Sequence, residues 1–152
     1  MKHYRIDGPD VDTMIAKAVE ERGEDWTWND HYPNLDCIYY VTKSWAETVE
    51  EEYDIKLDVG PACLVGKIFH DLDPDLDALL IDRNPDPIDT VFGVYMEMDP
   101  WKADDWYKAT FDDVTIEVSG LALEKLKVAQ KAQDMSRTWG DAMREALEVG
   151  DV

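Results

Sequence analysis

Asp71, Asp73, Asp75 and Asp77 alternate along the run Asp71-Leu72-Asp73-Pro74-Asp75-Leu76-Asp77, and Asp82 follows a short apolar stretch. A 12-residue EF-hand loop takes oxygen ligands from positions 1, 3, 5, 7, 9 and 12, and these five aspartates fall on positions 1, 3, 5, 7 and 12. The chemistry they suggest is Ca2+ or Mg2+ binding, either in a cation-binding module or in a small metal-dependent enzyme centred on Asp71 to Asp77. The pattern also departs from a true loop. Leu76 stands where the sharp turn needs glycine, Pro74 stiffens the fourth position, and the last ligand is aspartate rather than a bidentate glutamate. The competing reading is a solvated loop in which Asp73 caps the turn opened by Pro74.

Other side chains with chemical potential are scattered. Cys63 and His70 fall seven residues apart on one helical face, roughly 10 Å from each other, too far for a nucleophile and its base. Cys37 and Cys63 with His3, His31 and His70 show no zinc-ligand spacing, and no nucleophile elbow or glycine-rich phosphate loop is present. The chain therefore reads as a binding protein rather than an enzyme. Two cysteines are too few for a disulfide framework and fit a reducing compartment.

The strongest signal is collective. The 152 residues carry 35 acidic and 15 basic side chains, a net charge of −20. Residues 24–118 alone hold 24 of the acids against 6 bases, while the segments on either side are near neutral. Such a surface repels phosphate, which argues against direct binding to nucleic acid or an anionic membrane. No run of about 20 apolar residues is present to span a bilayer, and the first residues lack a signal segment, so the expected location is the cytoplasm of a host cell.

Within the acidic region the carboxylates cluster among aromatic residues. Glu50, Glu51 and Glu52 stand with Asp54, Asp71 to Asp77 form a second group, Asp86 and Asp89 a third, and Asp104 and Asp105 with Asp112 and Asp113 a fourth. On extended chain, carboxylates two residues apart stand about 6.6 Å apart, close to neighbouring phosphates on one nucleic-acid strand. Packed like charges destabilise a fold unless a basic partner offsets them. These twelve residues (Glu50, Glu51, Glu52, Asp54, Asp71, Asp73, Asp75, Asp77, Asp104, Asp105, Asp112 and Asp113) are the candidate partner-binding surface. Trp26, Trp28, Trp101 and Trp106 are possible anchors within it. A third reading assigns the charge to solubility alone.

The elements that must position these groups follow from periodicity. Residues 3–6 alternate as a strand before Gly8-Pro9, and Asp10 is the expected N-cap of a helix over 11–22 that Gly23 stops. Residues 24–34 form an aromatic-rich loop, 35–41 a strand, and Ser44 with Glu47 a capping box for a helix to 53. Residues 55–59 alternate as a strand, and Gly60-Pro61 opens a helix over 62–72. A helical turn over 75–81 follows; residues 88–98 fit helix or strand, and 99–110 read as polar-aromatic loop or helix. Residues 114–118 alternate as a strand, Ser119 caps a long helix, and Thr138 opens a terminal one. The expected fold class is α+β: one compact acidic domain over 1–152, mostly helical, with a small β-sheet and two C-terminal helices.

Two segments taken together carry a resemblance. Pro61-Ala62-Cys63-Leu64-Val65-Gly66 opens a helix running into His70-Asp71-Leu72. The tail holds Leu126, Ala129-Gln130, Gln133-Asp134, Thr138-Trp139-Gly140-Asp141-Ala142 and Ala146. The pair resembles small uncharacterised accessory proteins of bacteriophages of actinobacterial hosts, in which a Pro-x-Cys-aliphatic-Val-Gly helix precedes an Ala-Gln-x-x-Gln-Asp and Trp-Gly-x-Ala helix pair. The likeness covers about a quarter of the chain and implies a phage or prophage origin with an accessory role; it brings no catalytic residues. The residues have structural readings as well: Gly66 admits a close neighbour, Cys63 acts as a small buried hydrophobe, and Trp139 anchors the last helix.

The combined expectation is a non-enzymatic protein whose acidic, nucleic-acid-mimicking face binds and inhibits a basic host protein, either nucleic-acid-binding or defensive. Partner identity, oligomeric state and the leading acidic cluster stay open at this level. So does the question of whether His31 and the aromatics of residues 26–32 line a ligand pocket.

Overall fold

The computed structural model describes residues 2–32, 38–84, 86–92, 105–135 and 137–150. Strand β1 (Lys2–Ile6) runs directly into helix α1 (Gly8–Arg22). Asp7, not Asp10, caps α1: its carboxylate accepts from the Gly8 amide at 2.7 Å, and the Asp10 carboxylate takes the Asp7 amide at 2.9 Å. Proline is accommodated in a first helical turn, so Gly8-Pro9 opens the helix instead of forming a turn ahead of it. Val11, Ile15, Ala18 and Val19 form its buried stripe, and Gly23 ends it at φ 104°.

β1 pairs in parallel with β5 (Val114–Ser119), from Lys2 opposite Val114 to Ile6 opposite Val118. β5 also pairs antiparallel with β4 (Trp106–Phe111), giving the order β1-β5-β4. The two-residue β4-β5 turn holds Asp112 at a left-handed φ of 57°. Residues 106–110, expected as loop or helix, are thus a strand. β4 is an edge on which only Ala109 is buried, so its sequence lacks apolar alternation and pairing with β5 defines it. On that sheet the Arg5 guanidinium lies 3.8 Å from the centre of the Trp106 ring, bridging the outer strands.

A second correction concerns the middle of the chain. The expected strand over 35–41 reduces to β2 (Tyr40–Val41), with 35–37 outside the described residues, and 55–59 is not a strand: β2 pairs instead with β3 (Gly60–Pro61) just beyond it, in a two-stranded ribbon. Pro61 has no amide to extend the ladder, and Gly60 leaves ordinary strand geometry at φ 141°. Pro61 accordingly does not open the next helix. Helix α4 (Leu64–Leu72) begins after Cys63, whose Sγ accepts the Gly66 amide at 3.3 Å. Likewise Thr42, not Ser44, caps α3 (Lys43–Tyr53), its hydroxyl accepting from the Trp45 amide at 3.1 Å. Ser44 falls inside the first turn.

A short aromatic helix α2 (Trp28–His31) precedes the ribbon. A 3-10 turn (Pro74–Leu76) and α5 (Asp77–Asp82) follow α4, and α6 (Ile88–Val91) covers the start of 88–98, whose remainder from 93 lies outside the described residues. Ser119 and Thr138 cap α7 (Gly120–Asp134) and α8 (Trp139–Glu148) as expected, each hydroxyl accepting an amide at 3.1 Å. α7 packs against α1, α4, α6 and α8 and forms the centre of the main core, with Ile68, Phe69, Ile116, Leu123, Leu126 and Trp139 buried around it. Trp28, Val41, Val49, Leu57 and Ala62 form a smaller core beneath α3 and the ribbon. The architecture is α+β, a compact single domain. Among the described residues no helix is long and apolar enough to cross a membrane.

Candidate functional site

The acidic residues singled out from the sequence fall into separate places. Glu50, Glu51 and Glu52 occupy the last turn of α3, and Asp54 follows it; all four are exposed, and none makes an ion pair with another described residue. The last turn holds no basic residue, so four carboxylates face the negative end of the helix dipole. Asp54 closes the helix in the left-handed region at φ 55°.

The aspartates of 71–77 are each engaged elsewhere. Asp71 accepts from Lys67 at 2.9 Å, and Lys67 also reaches Glu21 at 2.6 Å. Asp73 is buried and accepts the Tyr4 hydroxyl at 2.5 Å, the Asp75 amide at 2.9 Å and Lys2 at 3.1 Å. Asp75 pairs with Lys2 at 2.6 Å, and Asp77 accepts from His70 Nδ1 at 2.7 Å. Burial pushes the Asp77 carboxyl up from its ordinary value. Asp82 is exposed at the end of α5. A cation using Asp71, Asp73, Asp75, Asp77 and Asp82 has to displace these partners, and among the described residues no three His, Cys, Asp or Glu side chains gather as a metal ion requires. Cys63 and His70 likewise serve separate roles, as helix cap and as partner of Asp77.

Lys2 joins two clusters that the sequence keeps far apart. Its side chain holds Asp73 and Asp75, while its amide donates to the carbonyl of Asp113 at 2.9 Å. The exposed pair Asp112-Asp113 therefore lies beside the Asp73-Asp75 turn. Asp105 is exposed just ahead of β4, and Asp104 lies outside the described residues. The extended-chain spacing is not realised where it was expected. Glu50 to Glu52 are helical, and 71–77 pass through a helix end, a 3-10 turn and another helix.

The Asp73 network carries a pH signature. The Tyr4 hydroxyl, then the Asp75 amide, hold the Asp73 carboxyl down at about 2, against an ordinary 3.8. Because the folded value is the lower one, this contribution to stability is complete above 3.8 and lost as pH falls through about 2. In Tyr4→Phe, carboxyl NMR titration is expected to show the Asp73 midpoint moving up toward 3.8, with less stability lost across that window.

The aromatic loop packs into a cleft of about 450 Å³ between α1, α2, α4 and the ribbon. Arg22, at the end of α1, donates to the carbonyls of Ala62 at 3.1 Å and Pro61 at 3.4 Å. Its guanidinium lies 4.5 Å from the Trp26 ring centre and 4.7 Å from that of Trp139. Trp26 meets Trp139 edge-on at 4.9 Å and stacks on His31 at 5.1 Å, while Trp28 packs on Tyr32 at 4.6 Å. Thr27 caps α2, and its carbonyl lies 2.9 Å from His31 Nδ1. A carbonyl only accepts, so His31 carries a proton on Nδ1. The opposite wall is formed by residues 57–62 and by Lys67, His70 and Asp71 of α4. Trp26 to Tyr32 were legible as aromatics in need of packing. Arg22, Asp58 and Lys67 carry no local signal, since each reaches the cleft from a different element.

No protein-family model, curated protein or solved structure matches the chain.

Proposed function

We propose that this is a non-enzymatic phage or prophage accessory protein that binds and inhibits a basic host protein, nucleic-acid-binding or defensive, through its acidic surface. The observation that carries the reading is the end of α3. Glu50, Glu51, Glu52 and Asp54 stand exposed and without counter-ions among the described residues, at the helix end where negative charge is unfavourable, at a cost of about 0.3–1 kcal/mol each at low ionic strength. Folding gains nothing from this arrangement, whereas a partner rich in lysine or arginine converts the cost into attraction and faster encounter. With these carboxylates on a helix, the mimicry is one of charge density rather than of phosphate spacing.

The test is capture from a bacterial host lysate at low salt and at about 0.5 M salt, where screening releases electrostatic partners. One basic protein retained only at low salt, and not retained by the triple variant Glu50→Lys, Glu51→Lys, Glu52→Lys, is the expected result. Equal retention by the triple variant, or no specific retention at all, overturns the proposal. Asp54→Asn keeps a residue tolerant of the left-handed conformation while removing a charge from the helix end. It is expected to raise stability in urea denaturation by about 0.5 kcal/mol while weakening capture.

A further inference from the structure

Resting on that reading, we infer that the aromatic cleft receives an arginine side chain of the basic partner. The chemistry of its walls selects a planar cation that donates hydrogen bonds. Nδ1 of His31 lies on the Thr27 carbonyl and Nδ1 of His70 on the Asp77 carboxylate, which assigns the proton to Nδ1 in each ring and leaves Nε2 as the acceptor of the unprotonated imidazole. Neither Nε2 has a partner among the described residues, and both rings line the cleft. Asp58 lines the same cleft, exposed and without an ion pair to another described residue.

The two resident cations are already committed. Lys67 lies between Glu21 and Asp71, and Arg22 donates to two carbonyls and packs against the Trp26 and Trp139 rings. Counting Glu21 with the lining charges, three carboxylates (Glu21, Asp58, Asp71) outweigh two cations, within a protein of net charge −20. Tyr32, partly buried against Trp28, supplies ring surface of the kind a guanidinium packs on. Arg22 on Trp26 and Arg5 on Trp106 show the same contact within this molecule. The cleft, at about 450 Å³, has the size of a small-molecule site and holds a side chain with room for its main-chain neighbours.

The probe is a capped pentapeptide with one arginine between glycines, read by the imidazole proton NMR signals. Its controls are the lysine and citrulline peptides and free methylguanidine. The protein has three histidines, and His3, paired with Glu117 on the sheet, serves as an internal control. The arginine peptide is expected to shift His31 and His70 but not His3. The lysine and citrulline peptides should bind about tenfold more weakly, having lost the planar fork or the charge. The double variant His31→Phe, Asp58→Asn keeps a ring on Trp26 and should lose about tenfold in affinity. The triple lysine variant of α3 should retain the response, so failure of the cleft and failure of the acidic helix end are separately visible. The inference is overturned by equal response to citrulline, by binding of methylguanidine but not the peptide, by loss of the response in the α3 variant, or by no shift at all.

Discussion

Gly66→Ala is expected to lower stability by about 3 kcal/mol, read as the shift in urea midpoint at constant slope. A methyl group on Gly66 would stand 2.9 Å from the carbonyl carbon of Tyr39 and closer still to its oxygen. Relief requires α4 or the Tyr39 segment to move, and neither is free to do so. The Tyr39 carbonyl accepts from the Ala62 amide at 2.9 Å, its own amide donates to Asn84 Oδ1 at 3.0 Å, and its hydroxyl donates to the Asp86 carbonyl and accepts from Gln130 at 3.0 Å. On the other side α4 holds Leu64, Val65, Ile68 and Phe69 in the core. A cost below about 1 kcal/mol would show that the Tyr39 segment yields, contrary to this account.

Trp139→Ala is expected to cost about 4 kcal/mol, the middle of the range for removing a buried aromatic side chain. Trp139 is fully buried, packs against Trp26 and Arg22, and begins the helix whose first amides donate to the carbonyls of Trp26 at 3.0 Å and Glu24 at 2.9 Å. Its loss leaves a void beneath the cleft as well as in the core. The arginine-peptide response should fall in step with stability. Trp139→Phe separates ring from donor: the indole Nε1 is buried without a partner among the described residues, so a phenyl ring gives up area but leaves no hydrogen bond broken. Its expected cost is about 1–2 kcal/mol, and a cost equal to that of alanine would mean that the ring contacts do not matter.

Much of the fold was legible where a local rule had one solution. Ser119 and Thr138 each immediately precede an apolar-periodic run, and α7 and α8 begin where they indicate. Where a second residue satisfied the same rule, the expected cap was the wrong one. Asp10 and Ser44 were expected, but Asp7 and Thr42, a few residues earlier and with side chains that accept a first-turn amide, are the caps. β4 was illegible because an edge strand with one buried residue has no period to detect. The run Asp71 to Asp77 looked like a ligand series because spacing is visible in sequence and partners are not. Tyr4, Lys2, Lys67 and His70 take those carboxylates, the first two from the distant strand β1 and the other two from the preceding helix α4. The cleft follows the same logic. Its aromatics and His31 are contiguous and were noticed, whereas Arg22, Lys67 and His70 converge on it from α1 and α4.

The parallel pairing of β1 with β5 also governs the order in which the molecule can be made. Lys2 to Ile6 leave the ribosome more than a hundred residues before their partners Val114 to Val118. At about 5–20 residues per second, the first strand waits roughly 5–20 seconds for its neighbour. Throughout that interval the apolar stripe of α1 is without α7, against which it packs. A nascent chain halted before Val114 has α4 for α1 to pack on but lacks β5, the partner of β1, and α7 and α8, the other helices against which α1 packs. Such fragments are natural substrates for chaperones and proteases until the later elements arrive.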